Sequence, residues 1–297
     1  MSNYDIIHNP GIKITFPIRR GRAKFIVTVH DLIFLLDPSM YKERYIKRPP
    51  LVKQLKHYLT IKYNALAILV IIRTADYIIT DSELIKREII ELGYPKEKIA
   101  VINLGIDSRF IKTPIKKYLH SKFIIGYLGS FQRKKNVEFA VNAFKKFQEK
   151  YKGIDSVLEL WGSTNTPEYE YIRSIVGNEK SIVFKGFAPE DKLVETYDRF
   201  DVAIFPILYT GFELEILEAQ ARGIPVIVYK NSKIPEEVRR YCFEAKDAEH
   251  ASRILKKIKD RGYDQKLRSE SMNYARSFTW EKMGEKTLET YKRVLGI

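Results

Sequence analysis

Cys242 is the only cysteine in 297 residues, which excludes an internal disulfide and a cysteine-based metal cluster. That usage suits a reducing compartment, and a cytoplasmic protein is expected. No uninterrupted apolar run reaches the ~18–20 residues needed to cross a bilayer. The first residues, MSNYDIIHNPG, show no basic segment followed by an apolar one, so no secretory signal is visible. No Asp-x-Asp metal motif occupies a suitable loop, and there are no internal repeats or low-complexity tracts. Acidic residues are also scarce: 37 Asp and Glu face 52 Lys and Arg, a formal net charge of +15. The shortage is uneven. Residues 1–120 hold 21 Lys and Arg against 11 Asp and Glu, whereas the other 177 residues hold 31 against 26. A basic N-terminal region implies an anionic partner there: membrane phospholipid, a lipid diphosphate or nucleic acid. A solvated basic surface without a partner is the plain alternative.

What is present suits a globular chain of two domains, with 45% hydrophobic and 30% charged residues. Short β-branched runs alternate with helical patterns. Strands are expected at 4–8, 25–29, 75–80, 99–103, 123–128, 157–161, 182–184, 202–206, 226–229 and 241–244. Helices are expected from Pro50 onward, at 83–92, 137–151, 168–176, 193–200, 213–223, 235–240 and 248–261, and in the last segment. Asp81 and Ser82 read as a helix N-cap pair. Residues 107–122, with Pro114 and several lysines, read as a linker.

Four stretches carry chemistry. His30 and Asp31 follow the strand at 25–29, and ligands of open parallel sheets bind outside such carboxyl ends. The alternative is that His30 caps the strand and Asp31 starts a turn. Gly129 opens the stretch GSFQRKKN before the helix at 137. Three adjacent cations, Arg133, Lys134 and Lys135, are costly to gather without an anion; a diphosphate would balance them, helped by the helix dipole. A solvated loop is the alternative. In TGFELEILEAQARGIP, Gly211 sits where backbone bends tightly or approaches a ligand. Glu213 and Glu215 can simply complement a helix dipole. Glu218 lies one turn deeper among apolar neighbours and needs a partner, which a ribose diol could supply. Finally, residues 41–62 mix basic with aromatic and aliphatic side chains, near the basic loop of Arg19, Arg20, Arg22 and Lys24. Leu51, Leu55, Leu59, Leu66 and Leu69 recur at near-helical spacing, with Lys53, Lys56 and Lys62 on other faces. This suggests an amphipathic helix resting on an anionic membrane, or else a core-packed helix with a basic solvent face.

These stretches resemble retaining glycosyltransferase family 4, which has the GT-B fold. Gly211, Phe212, Leu214, Glu218, Ala219, Gly223, Pro225 and Val226 match its C-terminal signature. Thr210 stands where the family has its first Glu, Glu213 replaces the usual second Gly, and Glu215 replaces the usual Pro. The resemblance implies that Glu218 binds the donor ribose. It leaves the first Glu's role without a matching residue, since Glu213 is displaced from it by three positions. GYLGSFQRKKN resembles a subgroup with an Arg-Lys-Asn signature, placing Lys134, Lys135 and Asn136 in those positions and making Lys135 the diphosphate ligand. A lysine at 134 cannot form arginine's bidentate fork. FIVTVHDLIFLLDP resembles a segment whose His, here His30, faces the donor sugar. Gly186 and Phe187 fall in the loop beside the nucleotide base, and the last segment resembles a helix crossing back to the first domain.

The implied fold is α/β: two Rossmann-like domains facing a cleft, the N-terminal one reduced. Their expected extents are 1–115 for the acceptor side and 116–278 for the donor side, with 279–297 as the crossing helix. The implied activity is retaining transfer from a nucleotide-diphosphate sugar, with His30, Asp31 and Lys135 as catalytic residues. Gly129, Ser130, Arg133, Thr210, Gly211, Phe212, Glu213 and Leu214 complete the donor site. No metal or other cofactor is expected. The acceptor is expected at a membrane surface, lipid-linked or otherwise amphiphilic. Two other classes compete: a nucleotide-sugar-binding protein without catalysis, suggested by Thr210, and a nucleic-acid-binding protein, suggested by the charge but lacking a recognisable binding module.

Overall fold

The β-branched runs become buried parallel strands in both halves of the chain. The computed structural model describes residues 4–11, 21–41, 44, 46, 49–116 and 121–297. In the first half, β1 (Ile6–Asn9), β2 (Lys24–Val29), β3 (Tyr77–Thr80) and β4 (Ile99–Val101) form one parallel sheet in that order. Three helices accompany it: α1 (Ile33–Leu36), α2 (Leu51–Thr74) and α3 (Glu83–Glu91). Ser82 caps α3 by accepting from the Ile85 N–H at 3.4 Å.

In α2 the leucine stripe does not lie where a core helix would have it. The buried seam is isoleucine-rich: Ile61, Ala67, Ile68, Ile71 and Ile72. Leu51, Leu55, Leu59 and Leu66 face out, Leu51 at 82% exposure, and Val52, Tyr58 and Tyr63 join them. Only the C-terminal half has strands to pack on, where Ile68, Ile71 and Ile72 meet Phe25, Val27 and Val29. Residues 51–60 are exposed save His57, whose ring bonds the Tyr41 carbonyl at 2.8 Å. Among the described residues α2 is the one helix long and apolar enough to cross a bilayer, with mean hydropathy 1.3 over its best window. Lys56 and Lys62 break it into short apolar runs, which is why no uninterrupted run shows in the sequence.

The expected linker contains a short helix, α4 (Ser108–Lys112), and Arg222 clamps it. That guanidinium is fully buried and forks onto Asp198 with both contacts at 2.7 Å. It also donates to the carbonyls of Phe110, Thr113 and Pro114 at 3.2, 2.6 and 3.0 Å.

The second half is a six-stranded parallel sheet of β5 (Phe123–Leu128), β6 (Ser156–Trp161), β7 (Ile182–Gly186), β8 (Val202–Phe205), β9 (Val226–Tyr229) and β10 (Phe243–Ala245). The spatial order is β10-β9-β8-β5-β6-β7, the doubly wound pattern that changes direction at β5. The crossovers carry α5 (Val137–Lys150), α6 (Pro167–Val176), α7 (Leu193–Asp198), α8 (Leu214–Ala221) and α9 (Glu236–Arg239), and α10 (Ala248–Arg261) follows β10. Central strands are buried on both faces, as parallel sheets covered by helices require.

One helix has no counterpart in the expected pattern, α11 (Gln265–Arg276). It buries only Ser271 and Ala275, so it lacks the apolar period that would reveal it. The last helix, α12 (Trp280–Leu295), does return to the first domain. Ile106 pairs with Thr279, Met283 and Val294 pack on the first sheet, and the Tyr291 hydroxyl meets His8 Nδ1 at 2.6 Å.

The two halves also meet through Tyr209. This residue follows β8, yet its ring is part of the apolar cluster of the first domain. Its hydroxyl donates to Glu88 at 2.6 Å and accepts from the Leu32 N–H at 3.2 Å.

Candidate active site

The carboxyl ends of β2 and β5 and the loop after β8 converge between the two sheets. Register explains the first contribution. Val29 pairs with Thr80, so the residues that follow, His30 and Asp81, leave neighbouring strands side by side. His30 Nδ1 lies 2.7 Å from Asp81 Oδ2, and Nε2 lies 2.9 Å from the Pro10 carbonyl. Two oxygens flank the ring, an arrangement that favours the doubly protonated imidazolium. The hydrogen bond to Asp81 raises the His30 pKa to about 8, against the opposing effect of burial. Of the expected N-cap pair only Ser82 caps, and Asp81 holds His30 instead. Burial raises the pKa of Asp81, and its Oδ1 is buried without a hydrogen bond. Asp31 partly follows the plain reading: it accepts from the Ile33 N–H at 3.3 Å, which starts a turn. Its other oxygen reaches across the cleft to Lys134 at 3.6 Å.

The cation turn follows β5. Arg133–Lys135 form a 3-10 turn, and Asn136 closes it in the left-handed conformation, φ 51°. Asparagine tolerates that backbone better than most residues, which accounts for it here without any ligand. Two of the three cations already have carboxylate partners within the protein. Lys134 faces Asp31 and the ring of Tyr41, at 5.4 Å, and Arg133 reaches the Ser39 carbonyl at 3.5 Å. Lys135 is buried against Glu213 and lies 3.5 Å from Glu215. The counter-charges come from β2 and α8, far away in sequence, and become visible only on folding.

The α8 carboxylates therefore do more than complement a dipole. Glu213 occupies the N-cap position, but its side chain caps nothing and bonds Lys135 instead. Burial, followed by the charge of Glu215, raises Glu213 to about 8. Glu215 lies below its ordinary value: burial would raise it, but Lys135 and a hydrogen bond from Glu213 outweigh that effect. Burial alone would lower Lys135; the two carboxylates hold it above its ordinary value. Glu218 finds a partner the sequence did not suggest, the buried Tyr197, whose hydroxyl donates to Oε2 at 2.8 Å. Burial raises Glu218 to about 7, and its Oε1 has no hydrogen-bond partner among the described residues.

The remaining candidates are distributed as follows. A Cβ on Gly211 would stand 1.6 Å from the His30 carbonyl oxygen, so only glycine lets this turn approach the other domain. Thr210 is buried, and its hydroxyl donates to the Phe212 carbonyl at 3.1 Å, a local use rather than a cleft-facing one. Phe212 packs near Phe278 with ring centroids 6.0 Å apart, and Leu214 is half-buried on the second core. Gly129, φ 145°, ends β5 with a virtual Cβ 3.5 Å from Glu215 Oε1. The Ser130 carbonyl accepts from the Tyr127 hydroxyl. Gly186 ends β7 at φ 76°, and Phe187 beside it is 79% exposed.

Two parallel-sheet α/β domains meeting at a cleft, with a cation turn after β5 and carboxylates on α8, define a glycosyltransferase of the GT-B type. Comparison with known proteins agrees. Residues 2–110 match the family described as Glycosyltransferase Family 4, and residues 122–260 match Glycosyl transferases group 1. The chain belongs to the family 4 glycosyltransferases. It is 25% identical over 307 residues to the O-antigen chain mannosyltransferase B of Escherichia coli, covering 97% of this chain and 74% of that one. It is 24% identical to a serotype-specific mannosyltransferase WbdA of Escherichia coli, again over 97% of this chain but only 36% of that one. Among solved structures, a glycosyltransferase from Rickettsia africae superposes with TM-score 0.71 at 17% identity, over 98% of this chain and 77% of that one. Anabaena HepE, solved with UDP and glucose, superposes with TM-score 0.68 at 18% identity, over 92% and 72%.

Proposed function

We propose that the chain transfers a sugar, with retention at the anomeric carbon, from a nucleotide-diphosphate donor to an acceptor. The observation that carries this reading is the convergence of His30, the cation turn 133–135 and Glu218 on one cleft between the domains. Glu218 Oε1 is open to accept from a ribose hydroxyl, while Tyr197 holds Oε2. Arg133, Lys134 and Lys135 lie where they can stabilise charge developing on a leaving diphosphate, with no metal in the scheme. His30, held as a cation by Asp81, acts on the sugar as a positive charge rather than as a base, and donates to it once Nε2 leaves the Pro10 carbonyl. HepE's UDP and glucose support a nucleotide donor here, and the mannosyltransferase relatives make a mannose nucleotide the first to test. Asp31 shares the cleft through Lys134 and is assigned to the acceptor side of the reaction.

The acceptor is lipid-linked in this reading, and the protein is cytoplasmic and peripheral to a membrane. The outward face of α2 supports it: Leu51, Val52, Leu55, Tyr58, Leu59 and Tyr63 are exposed, with Lys53, Lys56 and Lys62 alongside. Each lysine near an anionic bilayer contributes about 1 kcal/mol, and the apolar side chains add contact. Arg22 and Lys24 are exposed on the same domain; Arg19 and Arg20 of that loop lie outside the described residues.

The test of transfer is a kinetic one. Lys135→Ala is combined with Glu213→Gln, so that the carboxylate in direct contact with Lys135 is not left charged without its counter-ion. The double variant is expected to lower kcat/KM with nucleotide sugars by about 100-fold or more. Unchanged transfer would overturn the assignment, and donor binding without transfer in the wild type would favour a non-catalytic binder.

A further inference from the structure

The diphosphate seat is already occupied from within. Lys135, 13% exposed at its side chain, has Glu213 on its ammonium and Glu215 at 3.5 Å. Glu213 is itself 4% exposed. The groups facing it are Lys135 from the cation turn, Glu215 from α8, and the hydroxyls of Tyr127 on β5 and Tyr197 on α7. Burial keeps both hydroxyls protonated, so they add no charge. One cation thus serves two carboxylates in a largely buried site. The neighbouring cations are already engaged: Lys134 with Asp31, and Arg133 with the Ser39 carbonyl. A diphosphate arriving at Lys135 would bring two more negative charges against an ionised Glu213, in a medium that screens them poorly.

We propose that Glu213 is a displaceable counter-ion of Lys135: donor binding transfers Lys135 to the diphosphate, and Glu213 takes up one proton as it does so. The neutral carboxyl then donates a hydrogen bond instead of repelling the phosphates, and the proton leaves when the nucleoside diphosphate leaves. Glu213 is a positioning residue in this scheme, acting through Lys135. The inference rests on the reading of the cation turn as the diphosphate site. With its pKa raised to about 8, Glu213 exchanges its proton just above neutral pH, so it starts ionised, and the uptake is visible, only on the alkaline side of that value. The residue's identity supports the proposal, because a glycine here could not occupy Lys135 at all.

The experiment is isothermal titration calorimetry of the full chain with UDP and, separately, GDP. It is run at pH 9, where the phosphates are fully ionised, in two buffers of different ionisation enthalpy. The wild type is expected to take up about one proton per nucleotide through Glu213 and to bind about tenfold more weakly at pH 9 than at pH 7. Because His30 can also gain a proton on binding, Glu213→Gln is run in parallel; its uptake is expected to be lower by about one proton and its loss of affinity from pH 7 to pH 9 correspondingly smaller. Wild-type binding without proton uptake overturns the proposal whatever the variant does. A Glu213→Gln variant with unchanged uptake overturns it too. No binding of either nucleotide by the wild type overturns the donor reading itself, an outcome distinct from binding without uptake.

Discussion

Asp81→Asn removes the charge that holds a proton on His30 while keeping the shape and one acceptor for Nδ1. With Asp81 in place the His30 pKa is raised to about 8, so at pH 7.5 about three-quarters of the rings are charged. Without that hydrogen bond and charge, burial becomes the largest influence, and burial lowers it. The pKa then returns to about 6.5 or below, and about a tenth of the rings are charged at pH 7.5. The ring is 45% exposed, so solvent screens its share of stability, and the titration itself is the quantity to read. The sign is fixed by the direction of the shift: stability linked to this proton is full below about 6.5 and is lost as pH rises through about 8. The assay is an NMR titration of the imidazole signals, with His30→Gln identifying the resonance among five histidines. A fall of more than one pH unit in the His30 midpoint is expected, and the alkaline limb of kcat/KM should move down with it. A wild-type midpoint near 6.5, or one unchanged in Asp81→Asn, refutes the reasoning.

Arg222→Ala strands a buried Asp198 and three linker carbonyls, and a loss of about 3–5 kcal/mol in urea denaturation is expected; a loss under about 1 kcal/mol would show that the clamp does not matter. Wild-type protein should co-sediment with anionic vesicles at low salt, and Leu55→Ser with Leu59→Ser should cut recovery about tenfold or more. Equal recovery with neutral and anionic vesicles, or none with either, rejects the membrane reading.

The second domain was the more legible half. β9 and α10 fall at the residues their patterns indicate, because alternating β-branched runs and an apolar helical period leave little choice. α11 was invisible for the opposite reason: a helix that buries a serine and an alanine writes no stripe. In α2 the leucine spacing left two readings open, a stripe turned to a membrane or to the core, since spacing alone cannot say which side of a helix meets a sheet; the structure turns the stripe outward. The site was legible as positions but not as pairs. His30, Lys135 and Glu218 could be named from their local settings. Asp81, Glu213 and Tyr197 acquire their roles from contacts 51, 78 and 21 residues away. Only the first left a usable sign, two adjacent strands that each end in a polar residue.

Tyr209 makes the two halves hard to exchange. Its ring belongs to the first domain's apolar cluster while its backbone leads directly into the donor signature at Thr210. A chimaera that joined this C-terminal half to another relative's N-terminal half would need a socket for that ring and an acceptor in the place of Glu88. Without them the tyrosine would either protrude or drag the signature turn out of line, so modular shuffling of acceptor and donor halves is constrained at a residue that touches neither substrate in the proposed reaction.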